Sequence, residues 1–165
     1  HIPDIFVATS LFVAIIYSGP FSGGHVNPAV TMGIPVDILG FVAKDNGLAV
    51  STAAIYWVGQ VAGGIVGALL GVATVGKVNA PNLAFEVSLF DSLDPEFLIS
   101  DLVGESIGTL VFVFFILLVT NEVTTFSTNT LTTWSCIAGA LYIGRHYAIR
   151  SGGCLNPGVA LGMQI

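Results

Sequence analysis

Charged residues are scarce in this sequence. Only 8% of its 165 residues are Asp, Glu, Lys or Arg, whereas ordinary soluble domains carry about 25%. Four of these side chains are basic and the formal net charge is −6, which leaves too few cations for a phosphate-binding face. The composition therefore excludes an ordinary water-facing surface and a nucleic-acid partner.

Cysteine is equally rare, with only Cys136 and Cys154 in the whole chain. Two cysteines are too few for a disulfide framework, and they show no metal-ligand spacing. The sequence also lacks a Ser/His/Asp set, a glycine-rich phosphate loop and a close pair of carboxylates, which are common signatures of catalytic sites. We therefore expect a protein that is not an enzyme and that holds no metal and no cofactor.

Long apolar segments make up most of the chain. Its residues are 54% hydrophobic, with a mean hydropathy of +0.90. A helix needs about 20 apolar residues to cross a bilayer. Four segments approach or exceed that length, at about residues 5–19, 48–75, 97–119 and 131–149. These features predict an all-α, multi-pass integral membrane protein with about four spans in a single domain over residues 1–165.

The second apolar segment carries a row of glycines at helical spacing. The row consists of Gly59, Gly63, Gly67 and Gly71. Residues four apart lie on the same face of a helix, and small residues let helix backbones approach closely in lipid. We expect this smooth face to suit close contact with another helix.

A twelve-residue motif occurs twice in the sequence. It runs from Ser22 to Gly33 and again from Ser151 to Gly162, and seven of the twelve positions are identical. About three predicted spans separate the two copies, so the copies must enter the bilayer from opposite faces. Such an inverted repeat is typical of channels and transporters.

Each copy predicts a re-entrant loop followed by a short helix. Paired glycines permit a tight turn, and the Asn and Pro that follow suit the N-cap and first helical positions. We expect the short helices over residues 27–36 and 156–165, about half the thickness of a bilayer core of about 30 Å. Because such a helix cannot span, its loop must be buried in protein or line a water-filled path.

Two helix N-termini that meet inside the membrane favour a path for neutral molecules. Each N-terminus carries a partial charge of about +0.5, and together they repel cations and protons. We expect the side-chain oxygens of Asn27 and Asn156 to cap the two helices, which leaves their N–H groups for passing water. Apolar side chains and loop carbonyls from residues 23–25 and 152–154 would form the remaining wall.

The paired motif resembles the signature of the major intrinsic proteins, the aquaporins and aquaglyceroporins. Residues 56–64 and 104–109 also resemble that family's third transmembrane helix and the start of its fourth. The resemblance implies an aquaporin-like right-handed helix bundle with two re-entrant half-helices in an inverted repeat. It also implies a pore lined by six motif residues, Asn27, Pro28, Ala29, Asn156, Pro157 and Gly158.

The family has six spans, and this chain matches the second to the fifth together with both half-helices. The first and sixth transmembrane helices have no counterpart in the sequence. We expect the sequence to be part of a longer protein, and a genuinely shortened subunit is the alternative.

The family's narrow constriction departs from its usual pattern in this chain. Counted from the two Asn residues, it maps onto Val7, Gly144, Gly153 and Val159. The usual Arg would stand at Val159, and the usual bulky aromatic at Val7 or Gly153. Because all four residues are small or apolar, we expect a wide and uncharged constriction. Such a pore would suit neutral solutes such as glycerol, urea, ammonia or peroxide, unless the subunit conducts nothing.

Arg145 and Arg150 lie near the end of the last apolar segment. An unpaired charge at membrane depth costs roughly 2.5–3.5 kcal/mol, so an arginine there needs a reason. We hypothesise that one of the two supplies the pore-mouth charge that Val159 lacks. The alternative is an arginine at a helix end that reaches out to the interface.

Three further residues are candidates for holding the loops in shape. Glu105 lies one turn inside an apolar segment and needs buried donors. By resemblance, it accepts backbone N–H bonds from the loop of the second motif, and a water-exposed helix end is the alternative. Gln60 holds a corresponding place for the first loop, and His25 braces that loop through a hydrogen bond. A pH gate at His25 is a further alternative, because imidazole titrates near neutrality.

These observations together predict a passive channel for water and/or small neutral solutes in a lipid bilayer. The alternative is a non-conducting, aquaporin-like structural subunit of a larger membrane complex. The altered constriction and the Gly158 in the second motif favour that alternative. The resemblance further implies a homo-tetramer.

Overall fold

The computed structural model describes residues 2–34, 48–75 and 95–163. Every regular element within these ranges is an α-helix, in agreement with the all-α prediction. The helices in chain order are α1 (Ile2–Ser22), α2 (Pro28–Gly33), α3 (Val50–Val75), α4 (Pro95–Thr120), α5 (Thr130–Tyr147) and α6 (Pro157–Gly162).

Three of the helices are long and apolar enough to cross a membrane. The apolar stretches run over Asp4–Ser22, Val50–Thr74 and Ile99–Thr120. The fourth predicted span corresponds to α5, which has 18 residues. It is less apolar than the others because it carries several hydroxyl side chains together with Arg145 and His146. The total of four spans therefore stays a prediction.

The two short helices begin where the sequence predicts and end earlier. An Asn caps each one and a Pro fills its first position. In α2, Ile34 takes an extended backbone (φ −73°, ψ 137°), so the helix stops at Gly33. The second short helix, α6, ends at Gly162, and Met163 closes its last turn. The remaining predicted positions, 35–36 and 164–165, lie outside the described residues.

The core surrounds α2 and the loop that precedes α6. Closest packing joins α4 to α5 and α3 to α6, and α5 also contacts α1. Phe112 of α4, Thr31 of α2 and Leu155 of the second loop are almost completely buried. The short helix α2 contacts α3, α4 and α6, so the two short helices meet each other.

Glycine allows the long helices α4 and α5 to approach closely. A Cβ added to Gly108 would lie 2.5 Å from the carbonyl oxygen of Gly144, and one added to Gly144 would lie 2.7 Å from that of Gly108. Such distances are far below van der Waals contact, so any side chain there would separate the helices. Leu155 of the second loop packs against the same contact. Its side chain lies 2.8 Å from the position that a Cβ added to Gly108 would occupy.

Candidate pore site

The two motif loops have the same backbone conformation. Both paired glycines of each copy have positive φ angles, 75° and 67° in the first loop and 91° and 61° in the second. Val26 and Leu155, each directly before its Asn, also have positive φ angles of 39° and 50°. Positive φ is uncommon outside glycine and is strained for a β-branched residue. The two copies therefore share a backbone conformation as well as a sequence, including the strained residue directly before each Asn.

The strained residue in each loop presents its carbonyl to the Asn of the other loop. The Asn27 Nδ2 donates to the carbonyl oxygen of Leu155 at 2.8 Å. In return, the Asn156 Nδ2 donates to the carbonyl oxygen of Val26 at 3.0 Å. These reciprocal bonds hold the two loops together directly before the N-termini of α2 and α6.

The oxygen of each Asn caps its own helix. Asn27 Oδ1 accepts from the Ala29 N–H at 2.8 Å. Asn156 Oδ1 accepts from the N–H groups of Gly158 and Val159 at 3.0 and 3.3 Å. The capping expected from the sequence is therefore present. The expectation that both N–H groups of each amide face the lumen needs correction, because the opposite loop takes one of them. Each amide therefore has one further N–H group besides the one bonded to the opposite loop.

Thr31 joins the two residues expected to brace the first loop. Its Oγ1 accepts from the Gln60 Nε2 at 2.9 Å and contacts the His25 Nδ1 at 3.2 Å. The same hydroxyl donates to the carbonyl oxygen of Asn27 at 3.2 Å. Thr31 is fully buried, so Gln60 and His25 depend on its hydroxyl group for a hydrogen-bond partner.

Glu105 holds the second loop through both carboxylate oxygens. Its Oε1 accepts from the Cys154 N–H at 3.0 Å and from the Ser151 hydroxyl at 2.5 Å. Its Oε2 accepts from the Leu155 N–H at 2.9 Å. Hydrogen bonds to an ionised carboxylate are stronger than neutral ones. Glu105 thus makes backbone contacts of the kind expected from the resemblance, and a water-exposed helix end does not describe it.

Two of the four positions mapped onto the constriction lie next to Arg145. Gly144 precedes it in α5, and Gly153 packs so closely that an added Cβ would lie 2.8 Å from the Arg145 carbonyl oxygen. Val7 lies on α1 three residues beyond Asp4, the partner of Arg145. The fourth position, Val159, lies on α6, whose first turn packs on α3 instead.

Arg145 forms a nearly buried ion pair with Asp4. Its Nε donates to Asp4 Oδ1 at 2.8 Å, and its Nη1 donates to the Gly153 carbonyl oxygen at 2.5 Å. The two side chains are only 14% and 10% exposed. Arg145 therefore has its partners on α1 and in the second loop.

Arg150 has a different environment. Its side chain is half exposed, and its Nε lies 3.7 Å from an Asp101 carboxylate oxygen on α4. Of the two candidate arginines, Arg145 is seen to contact Gly153, one of the positions mapped onto the constriction.

Sequence reasoning missed Thr31 and Asp4. A signal for Thr31 exists in the repeat itself, since the second copy has Ala160 at the matching position. A hydroxyl that only one of the two matching apolar half-helices carries indicates a polar partner close to that half-helix. Asp4 lies at the start of an apolar helix, where an acidic residue is ordinary, so only the fold connects it to α5.

Comparison with known proteins identifies the family of this chain. The profile of the family described as "Major intrinsic protein" matches residues 3–165. Among similar proteins, the probable aquaporin TIP2-2 of Oryza sativa subsp. japonica is 44% identical over 69 residues. That match covers 39% of this chain and 25% of the rice protein.

Two further plant proteins show comparable similarity. The aquaporin TIP2-1 of Zea mays is 39% identical over 71 residues, 42% of this chain and 25% of the maize protein. The probable aquaporin TIP2-2 of Arabidopsis thaliana is 36% identical over 74 residues, 45% of this chain and 26% of that protein. Each match thus spans about a quarter of the relative's length.

The family assignment agrees with the helical architecture. Three described helices can cross a membrane, and members of this family are channels rather than enzymes. The protein is therefore a multi-pass integral membrane protein. Since the family profile matches nearly the whole sequence, the chain belongs to the major intrinsic protein family.

Proposed function

We propose that the protein is a passive channel for water and/or small neutral solutes, with its path beside the two Asn-Pro motifs. The observation that carries this proposal is the reciprocal pair of hydrogen bonds between the loops, from Asn27 to Leu155 and from Asn156 to Val26. These bonds bring the N-termini of two half-helices together inside the bundle. Such a junction has no evident role in a protein that only packs.

The junction offers donors and repels cations. Each half-helix N-terminus carries a partial positive charge, and both Asn oxygens are already occupied by helix N–H groups. The N–H group left on each Asn can therefore only donate to a passing molecule. Water, glycerol and urea each have an oxygen that accepts such a bond, whereas a cation meets two positive helix ends.

The constriction favours neutral solutes larger than water as well. Its four positions remain Val7, Gly144, Gly153 and Val159, and none of them supplies a bulky aromatic ring. A pore with small residues at its narrowest point admits glycerol, urea or ammonia by size. We therefore include these solutes in the proposed class.

Osmotic flux in liposomes tests the proposal. We expect the purified protein to raise the rate of vesicle shrinkage, measured by stopped-flow light scattering, under a sucrose gradient. Asn156→Ala should lower that rate several-fold, because it removes both the cap of α6 and the bond to Val26. Solute entry under glycerol and urea gradients then defines the permeant class.

Asn129→Ala is a matched control. Asn129 also caps a helix, α5, through the Thr132 N–H, but it lies outside the motifs and is exposed. Its loss should leave flux unchanged. Vesicles with the wild-type protein that remain as tight as protein-free vesicles, under water and glycerol gradients alike, would overturn the proposal and support a structural subunit.

A further inference from the structure

An ion pair between two long helices lies directly beside the constriction. Asp4 of α1 and Arg145 of α5 are 2.8 Å apart and almost buried. Withdrawing two charges from water is costly, and an apolar contact would join the same helices at lower desolvation cost. The pair therefore calls for a role beyond holding α1 to α5.

The position of the pair indicates that role. Arg145 follows Gly144 in sequence and bonds the carbonyl oxygen of Gly153. Asp4 lies three residues before Val7, and residues at that spacing share a helix face. Two charges thus stand close to Gly144 and Gly153, two constriction positions whose own side chains carry no charge.

We propose that Asp4 is a specificity-determining residue, because its carboxylate cancels the charge of Arg145 beside Gly153. A solute then meets a polar constriction with no net charge. The bond to Gly153 uses one guanidinium donor and the bond to Asp4 another, and the remaining N–H groups can donate to a solute oxygen. This inference rests on the proposed channel function and narrows its substrates to neutral molecules with an acceptor oxygen.

Single substitutions of the two partners should affect potassium leakage differently. Arg145→Gln makes the constriction one unit more negative, which attracts cations, so we expect potassium leakage to rise on the order of tenfold. Asp4→Asn makes it one unit more positive, so potassium leakage should stay at or below that of the wild type. Potassium flux into liposomes measures both, with water flux recorded on the same vesicles.

The double variant Asp4→Asn/Arg145→Gln separates charge from structure. It removes the ion pair but keeps the net charge at zero, so we expect the low potassium leakage of the wild type. Because it buries no lone charge, it also remains testable if Arg145→Gln fails to reach the membrane. Glu122→Gln, an exposed carboxylate beyond the other end of α5, is the control and should change nothing.

Three results would overturn the inference. Equal changes in potassium leakage in both single variants would show that the ion pair has only a structural role. The absence of any change in potassium leakage would show the same. A raised leakage in the double variant would show that the guanidinium charge itself excludes cations. If the wild-type protein conducts no water, the channel proposal fails and this inference fails with it. If the wild-type protein conducts water normally and one of the three results above is found, only this inference fails.

Discussion

At the scale of single residues, the site depends on a few buried or partly buried polar groups that bond to the two loops. Asn27 and Asn156 link the two loops, and Thr31 and Glu105 hold one loop each. Removing one partner of such a group leaves a buried donor or acceptor without a bond, at about 1–3 kcal/mol. The residue scale therefore yields the sharpest predictions about stability.

Thr31→Val should destabilise the first loop. The change keeps the shape of the side chain but removes the oxygen that Gln60 and His25 contact. Leaving buried donors without an acceptor should lower the free energy of unfolding by about 2–3 kcal/mol. Thermal unfolding in detergent measures the effect.

Thr74→Val is the matched control for that variant. Thr74 is exposed on α3 and bonds only to carbonyls of its own helix among the described residues. It should unfold as the wild type does. Equal losses in the two variants would contradict the role given to Thr31.

Glu105→Gln should weaken the second loop. A neutral amide keeps one acceptor but replaces the other with a donor that faces N–H and O–H groups. The three bonds to Ser151, Cys154 and Leu155 cannot all persist. We expect lower thermal stability and a several-fold lower water flux, with Glu122→Gln as the isosteric control. A variant with normal flux and normal stability would show that the carboxylate charge is not needed.

The sequence identified some of these residues and not others, for a physical reason. Asn27, Asn156, His25 and Glu105 are exceptional as polar groups at fixed places in a repeat or an apolar run, and such residues need partners wherever they occur. Asp4 has no such signal, because its partner lies 141 positions away in the sequence. Local patterns identify a group that needs a partner, but only tertiary structure supplies the partner.

At the scale of elements, the packing of α6 on α3 depends on Gly64. A Cβ at Gly64 would overlap the carbonyl oxygen of Gly158, and one at Gly162 would overlap the backbone of Gly64. The row of Gly59, Gly63, Gly67 and Gly71, which the sequence marks as a contact face, has no neighbouring atom within 4 Å among the described residues. The glycine-dependent contact that the structure shows on this helix is at Gly64, and a contact of the glycine row stays a prediction.

Gly64→Ala should therefore displace α6 and disturb the second motif. We expect a lower unfolding temperature and a lower water flux, because backbone atoms cannot move aside as a flexible side chain can. Gly63→Ala provides the control on the neighbouring position. Its Cβ meets open space, and Ala favours a helix by about 1 kcal/mol over Gly. Equal losses in both variants would contradict the assigned contact.

At the scale of the whole molecule, the apolar outer surface is separate from the polar groups that join the two motif loops. The apolar stretch of α3 is largely exposed apart from Ala53, and the exposed side chains of α1, α3 and α4 are largely apolar. Lipid is the natural neighbour of such a surface. The polar groups instead converge on the two loops in the interior.

The membrane class and the two loops followed from composition and repetition, since both are properties of the sequence alone. The lengths of the short helices did not, because the backbone of Ile34 turns away before the apolar run ends. The ion pair of Asp4 and Arg145 did not either, because it joins two helices that meet only in the fold.

The most direct test of the central claim is a paired measurement of water flux and ionic current in bilayers that contain the wild-type protein. Two half-helices joined at their N-termini by Asn27 and Asn156 should pass water or glycerol and carry no current. Flux well above that of protein-free bilayers, without conductance, is the result that this account predicts. A bilayer that passes neither water nor glycerol, or one that conducts cations, would contradict it.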